Sequence, residues 1–228
     1  MFMKLSSLIL FTCLAASPLQ ADMVNIPADR DATLIEDPDG AGANGSGPAL
    51  FAGRNNQAQG SVRRAVIRFD VAGNLPEKAI IDRAFVSLYQ TSNNNTDAST
   101  VSLHRVLQDW SEGPAFSSGG SGAPSGPGDV TWLHTSYDVE YWVQAGGHFI
   151  PQASGSELVS VQGFYTWQDS VNLVNDVRLW LHAPQQNFGW LVMGDEDTPQ
   201  SAKRFASREG TQTNQEPTLT IEYHLPGE

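Results

Sequence analysis

The side chains best suited to chemistry form an aromatic group that follows a glycine-rich stretch of the chain. Trp132, Tyr137, Tyr141 and Trp142 fall within eleven residues, with one histidine and two acidic residues between them. Flat rings with polar rims bind the C–H faces of sugars, and neighbouring polar groups orient the ligand. Tyr137, Tyr141 and Trp142 are therefore candidate ligand-binding residues. The alternative is that such large rings fill the core of a β-domain.

Two arginines near the C-terminus, Arg204 and Arg208, are the second candidate group. Four residues apart on a predicted strand, they would lie on one face, roughly 13 Å apart, while Phe205 and Ser207 face the other way. A guanidinium pairs with a carboxylate through two parallel hydrogen bonds, so these arginines, together with the tyrosines, would suit a uronate-bearing polysaccharide. The alternative is that they form ion pairs with carboxylates such as Glu209.

Acidic turns offer oxygen ligands for calcium. Asp37 and Asp39 place two carboxylates on the tight turn 37–40, as calcium loops do, although the closing glutamate of an EF-hand is missing. Residues 194–197 form a second acidic turn. The histidines are scattered without the spacing of a transition-metal site. The sequence therefore predicts calcium as an optional structural ion, with Asp37 and Asp39 as its ligands, and no other cofactor.

Linear signatures of catalysis are missing from the chain. It has no nucleophile-elbow, zinc-protease or phosphate-loop motif. A jelly-roll lyase or glycosidase would leave no such signature, because the fold brings its base or its paired carboxylates together. His134, Tyr137 and Asp138 are the residues that we would assign to that chemistry. The sequence favours binding over catalysis.

Alternation of apolar and polar residues dominates the chain and predicts β-strands. Residues 64–71 and 84–89 alternate as half-buried strands do, whereas residues 187–193 are apolar on both faces, as in a buried central strand. Helical spacing between Val171 and Leu181 predicts one helix. Clusters of Gly, Pro, Asn and Ser separate the strands. The pattern predicts an all-β fold, a jelly-roll-like sandwich of two antiparallel sheets with one short helix.

A long segment, residues 113–128, contains six glycines and three prolines. This composition is too rich in glycine and proline for regular structure. We expect a mobile loop that contributes little to the core, because so few apolar side chains cannot offset the entropy lost on ordering it.

The first 21 residues have the layout of a secretory signal peptide, with Lys4, a mostly apolar stretch and Ala21 at the end. We therefore expect a secreted, bacterial-type protein, periplasmic or extracellular, in which residues 22–228 form one domain. The single cysteine, Cys13, falls within the signal, so we expect no disulfide and no thiolate site. No other segment is apolar enough to span a membrane. The net charge of −12 disfavours nucleic-acid binding.

Eight blocks of the chain, by their order and spacing, resemble the DNRLRE-domain family. In chain order these blocks are residues 64–70, 81–84, 101–112, 130–132, 176–180, 187–189, 204–209 and 217–219. The string that names the family is absent, and Ser207-Arg208-Glu209 is its nearest fragment. Domains of this family are similar to the carbohydrate-binding jelly-roll modules attached to some bacterial alginate lyases. The resemblance therefore implies a jelly-roll fold and, more weakly, polysaccharide binding.

These observations favour a secreted, non-catalytic module that binds a polysaccharide or another cell-envelope glycan, with uronate-bearing chains as suitable ligands. Two alternatives stay open. One is a small jelly-roll polysaccharide lyase or glycosidase, and the other is a structural or matrix protein of the cell envelope.

Overall fold

Strands make up most of the computed structural model, which describes residues 21–91 and 96–227. The predicted signal peptide, apart from Ala21, lies outside the described residues. The strands are β1 (Asp22–Pro27), β2 (Arg30–Ile35), β3 (Gly42–Asn44), β4 (Ala49–Arg54), β5 (Val62–Arg68), β6 (Ile80–Gln90), β7 (Ser99–Arg105), β8 (Ala123–Pro124), β9 (His134–Ser136), β10 (Glu140–Tyr141), β11 (Gly155–Val159), β12 (Gly163–Trp167), β13 (Trp190–Met193), β14 (Lys203–Ala206) and β15 (Thr218–His224). The helices are α1 (Val71–Asn74) and α2 (Val171–His182).

Two antiparallel sheets form the body of the protein. Sheet A contains β1–β15–β6–β12, and β14 and β4 extend it from the end of β6 at Gln90. Sheet B runs β8–β3–β2–β5–β13–β7–β11. The end of β4 also pairs with β5, and it joins the two sheets at one edge. The predicted all-β sandwich of antiparallel sheets is confirmed.

The main core lies between the sheets, where alternate strand residues point inward. On β6, for example, Val86 and Leu88 are fully buried. Helix α2 closes this core with Val177 and Trp180, and its N-cap Ser170 accepts a hydrogen bond from the backbone N–H of Leu173. The predicted helix is confirmed, and it ends one residue later than expected.

The expectation of a half-buried strand at residues 64–71 is wrong in two respects. Strand β5 ends at Arg68, and its outer face is covered as well, with Val66 buried and Arg64 and Arg68 half-exposed. Ile67 points into the main core, and Val66 points into a second apolar cluster on the outer side of sheet B. Residues 106–150, the covering segment, supply much of that cluster through Trp110 and Trp142. Arg64 extends the covered face, with its guanidinium 4.8 Å from the ring centre of Trp132. Sheet B therefore has a third layer.

The segment 113–128 is also more ordered than its composition predicts. Its residues 123–124 form β8, which pairs with β3. The Ser117 N–H donates to Asn44 Oδ1 at 2.9 Å, and the carbonyl of Gly120 accepts from the buried Arg63. The segment satisfies polar groups that would otherwise be buried without partners, so polar bonding fixes it where apolar burial does not.

Neither helix of the described residues has the length and hydrophobicity that crossing a bilayer requires.

Candidate functional site

Among the described residues, no third layer covers the outer side of sheet A at β1, β15, β6 and β12, and the residues of this surface named below are exposed or half-exposed. Alternation in β6 fixes this face, because its neighbours Val86 and Leu88 point inward. Strand register brings β1, β12 and β15 alongside. We call this surface the open face, and it comprises Asn25, Arg83, Phe85, Ser87, Tyr89, Phe164, Thr166, Thr218, Thr220 and Glu222.

Aromatic rings form one part of the open face. Tyr89 and Phe164 are directly opposite each other on neighbouring strands, and their ring centres are 4.9 Å apart in an edge-to-face arrangement. Phe164 is 60% exposed. The Tyr89 hydroxyl accepts a hydrogen bond of 2.8 Å from Gln162. The pair presents apolar ring surface with polar groups at its rim, the combination that sugar rings bind.

Hydroxyl and amide groups fill the middle of the open face. The hydroxyls of Ser87 and Thr166 lie 2.9 Å apart, and the Thr220 hydroxyl donates to Asn25 Oδ1 at 2.7 Å. These groups are half-exposed or exposed, so each keeps hydrogen-bonding capacity toward solvent. The hydroxyl groups of a ligand could take the place of the solvent water that these side chains bind.

The two ends of the open face differ in charge. At one end, the Arg83 guanidinium lies 4.5 Å from the centre of the Phe85 ring and pairs with Asp169 at 2.9 Å and Glu222 at 3.6 Å. The hydrogen bond from Arg83 lowers the pKa of the Asp169 carboxyl below its ordinary value. The positive charge at this end is therefore neutralised within the protein.

The other end of the face leads to Arg204. Thr91 follows Tyr89 by two residues, and its hydroxyl accepts a hydrogen bond of 2.6 Å from Arg204 Nη1. The guanidinium lies 5.9 Å from the ring centre of Phe51, and burial lowers its pKa from the ordinary value. No carboxylate of the described residues forms an ion pair with it. Arg204 therefore offers a half-exposed positive charge.

Arg208 does not share a strand face with Arg204, contrary to prediction. Strand β14 ends at Ala206, and Arg208 lies in the following turn, although Phe205 and Ser207 are buried as expected. Its Nη2 lies 2.7 Å from Glu112 and 2.6 Å from Glu209. The ion-pair alternative therefore describes Arg208, and the pKa of its guanidinium is raised by the hydrogen bond to Glu112.

The predicted aromatic group divides into buried and exposed members. Trp142 is only 5% exposed and donates its indole N–H to the Thr131 carbonyl, so it belongs to the core under the covering segment. Tyr141 is exposed, and Tyr137 is half-exposed. Among the described residues, no hydrogen bond or ring contact joins either tyrosine to Arg204 or Arg208. Their grouping into one ligand site therefore stays a prediction without a supporting contact.

The residues that we assigned to catalysis do not form a hydrogen-bonded chain. His134 is buried, its Nδ1 lies 3.0 Å from the Thr131 hydroxyl, and its ring packs against Tyr137 and Tyr141. Asp138 is exposed in the turn between β9 and β10, where its φ is 58°. Within the described part of the chain, no hydrogen bond links Asp138 to His134.

The two acidic turns are closed by their own backbone. Asp37 Oδ1 accepts from the N–H groups of Asp39 at 2.9 Å and Ala41 at 3.0 Å. Asp195 Oδ1 accepts from Asp197 and Thr198, and the Thr198 N–H holds the pKa of Asp195 below its ordinary value. Local turn formation accounts for both carboxylates. Calcium binding at Asp37 and Asp39 stays a prediction.

A buried carboxylate that the sequence did not single out is Asp176 on α2. It accepts hydrogen bonds from Ser154 at 2.5 Å and from the Trp190 indole at 2.9 Å, and it pairs with Arg105 at 2.8 Å. Burial raises its pKa. The group borders a cavity of about 280 Å³, but both of its oxygens have partners. Asp176 therefore stabilises the packing of α2 against sheet B.

The open face was only partly visible in the sequence. Alternation puts Phe85, Ser87 and Tyr89 on one face of a strand. Which sheet stays uncovered depends on the position of residues 106–150 in the fold, and local sequence patterns do not predict that position.

Comparison of the chain with models of known protein families finds no match. Comparison with characterised proteins likewise finds none with significant sequence similarity.

Proposed function

We propose that this protein is an exported, non-catalytic module that binds a polysaccharide along the open face of sheet A. The observation that carries the proposal is the composition of that face, in which exposed rings lie among hydroxyl and amide groups. Serine is depleted at protein–protein interfaces, whereas the middle of this face consists of serine and threonine. The predicted resemblance of the chain to the DNRLRE-domain family, whose domains are similar to carbohydrate-binding modules, supports the same ligand class.

A glycan that carries carboxylates is the ligand class that Arg204 favours. Its half-exposed guanidinium donates to Thr91, two residues beyond Tyr89 of the ring pair, and a planar guanidinium matches a carboxylate through two hydrogen bonds. The rest of the face supplies stacking and hydroxyl contacts that any sugar could use. We therefore expect binding to uronate polysaccharides to be stronger than binding to neutral ones.

The open face is tested by removing its rings. The double variant Tyr89→Ala/Phe164→Ala should lose binding to alginate in affinity electrophoresis, because both ring contacts are removed. Tyr141→Ala is the matched control, since it removes an exposed ring from the covering segment on the other side of the molecule. Loss of binding in the control, with binding kept in the double variant, would show that the covering segment binds the ligand.

The role of Arg204 is tested by charge removal. Arg204→Gln should reduce the preference for alginate over dextran at low salt, because it removes the positive charge that attracts a carboxylate. The wild-type preference should weaken as salt is added, because ions screen the attraction between partly exposed charges. An unchanged preference in Arg204→Gln would exclude this arginine from the site. Depolymerisation of the polysaccharide by the wild-type protein would contradict the non-catalytic assignment.

A further inference from the structure

Three carboxylates from distant parts of the chain meet beside Arg208. Asp31 lies on β2, Glu112 on the covering segment, and Glu209 in the turn after β14. Each offers an oxygen that lies within 4.8 Å of the other two. Arg208 pairs with Glu112 and Glu209, so one positive charge faces three negative ones. The group therefore holds an excess of two negative charges when all three are ionised.

Two buried carboxylate oxygens of this group lack hydrogen-bond donors. Asp31 is 1% exposed, and its Oδ2 accepts the Arg208 N–H at 2.7 Å, whereas its Oδ1 has no hydrogen-bond partner. Glu209 Oε2 is likewise buried without a partner. A buried carboxylate oxygen without a partner is strongly unfavourable. A cation bound to both oxygens would remove this cost.

The surroundings of Asp31 leave its charge poorly compensated. Asp31 is 1% exposed, and Glu112 and Glu209 each bring a carboxylate oxygen within 4.8 Å of an oxygen of Asp31. Arg208 is already engaged by those two glutamates and does not reach Oδ1 through a hydrogen bond.

We propose that one calcium ion binds between Asp31, Glu112 and Glu209, with Asp31 Oδ1 and Glu209 Oε2 as direct ligands. Its two charges equal the excess negative charge of the group. Oxygens on opposite sides of a calcium ion are about 5 Å apart, which accommodates a set of this size. A donor set made only of carboxylate oxygens suits a hard cation, whereas zinc is usually held by nitrogen and sulfur.

The proposed ion connects elements that are far apart in the chain. It would link β2 of sheet B to the covering segment and to the turn after β14. Calcium binding is therefore expected to hold the covering segment against sheet B. This site is separate from Asp37 and Asp39, whose turn is closed by backbone donors.

Calcium titration of the chelator-treated full-length chain tests the proposal. Isothermal calorimetry should show one calcium per chain, and the melting temperature should rise by several degrees in calcium because the ion binds only the folded state. Magnesium should bind more weakly, since it demands stricter geometry and gives up its water reluctantly. Absence of calcium binding to the wild-type chain would refute the site.

Matched variants separate this site from the other acidic groups. Glu209→Gln, at a half-exposed residue, should lower calcium affinity at least tenfold, and Asp31→Asn should abolish the calcium-dependent rise in melting temperature. Asp37→Asn should bind calcium as the wild type does. In chelator, Asp31→Asn should melt at or above the wild-type temperature, because it removes a buried charge. Calcium binding that survives Glu209→Gln and is lost in Asp37→Asn would overturn the assignment.

Discussion

The outer faces of the two sheets differ in burial, since one lies under the covering segment and the other faces solvent. On β5 the outward Val66 is fully buried under the covering segment, whereas on β6 the outward Ser87 is half-exposed. The neighbours differ in kind, since the residue opposite Val66 on β2 is aliphatic Ala32, whereas the residue opposite Ser87 on β15 is hydroxylic Thr218. An outward aliphatic row needs a cover, while an outward hydroxyl row is stable in water. The uncovered face is the one that remains available to a ligand.

The largest expected effects show whether one face or both faces of a strand are buried. Val66→Asp should unfold the protein as fully as Ile67→Asp, because each places an unpaired carboxylate in a closed apolar cluster at a cost of several kcal/mol. On β6, Val86→Asp should unfold the protein, but Ser87→Asp should not. Thermal melting followed by circular dichroism measures all four variants. A folded Val66→Asp variant would show that the covering segment is loosely attached.

A smaller effect separates two adjacent aromatic residues of the covering segment. Trp142→Ala should destabilise the protein by about 3–5 kcal/mol, the usual cost of removing a fully buried ring. Tyr141→Ala should change stability by only about 1 kcal/mol, because the ring is 62% exposed and loses a contact with the His134 ring. Chemical denaturation gives both values. Equal losses in the two variants would mean that Tyr141 also packs into the core.

Shortening residues 114–127 to a short linker should have a moderate effect. The change removes the donors and acceptors that serve Asn44 and Arg63, at a combined cost of about 3 kcal/mol. The melting temperature should fall by about 10 °C. A fall of no more than 1–2 °C, the behaviour that the composition of the segment predicted, would indicate that its hydrogen bonds are readily replaced by water.

The smallest effects are expected on the open face itself. Ser87→Ala and Thr220→Ala should each change the free energy of unfolding by less than about 0.5 kcal/mol. Both hydroxyls bond to other exposed groups that water can serve instead. Destabilisation of more than 1 kcal/mol in either variant would show that the hydroxyl row holds the sheet together and is not free to bind a ligand.

Local sequence patterns were sufficient for individual elements of the fold. The helix from Val171 was predictable from its spacing and its cap at Ser170, and the buried strand at Trp190 from its apolar run. Long-range contacts were not predictable. The burial of Val66 depends on a segment that begins forty residues later in the chain, and its alternating neighbours gave no sign of a cover.

The candidate sites show the same division. The sequence identified Arg204 as a candidate, but it extended the strand too far and placed Arg208 on the same face. The turn at residue 208 arises because that backbone N–H donates to Asp31, 177 positions away in the chain. The meeting of Asp31, Glu112 and Glu209 likewise follows from tertiary contacts, since the three residues share no sequence motif.

Mapping of backbone amide shifts by NMR distinguishes the open face from the covering segment as the glycan-binding surface. Titration with a uronate oligosaccharide should move the amide signals of β6, β12 and the start of β15, together with that of Arg204. Signals of β9 and β10 should stay in place. Shifts confined to the hairpin around Tyr141, or no shift with any uronate or neutral oligosaccharide, would exclude glycan binding at the open face.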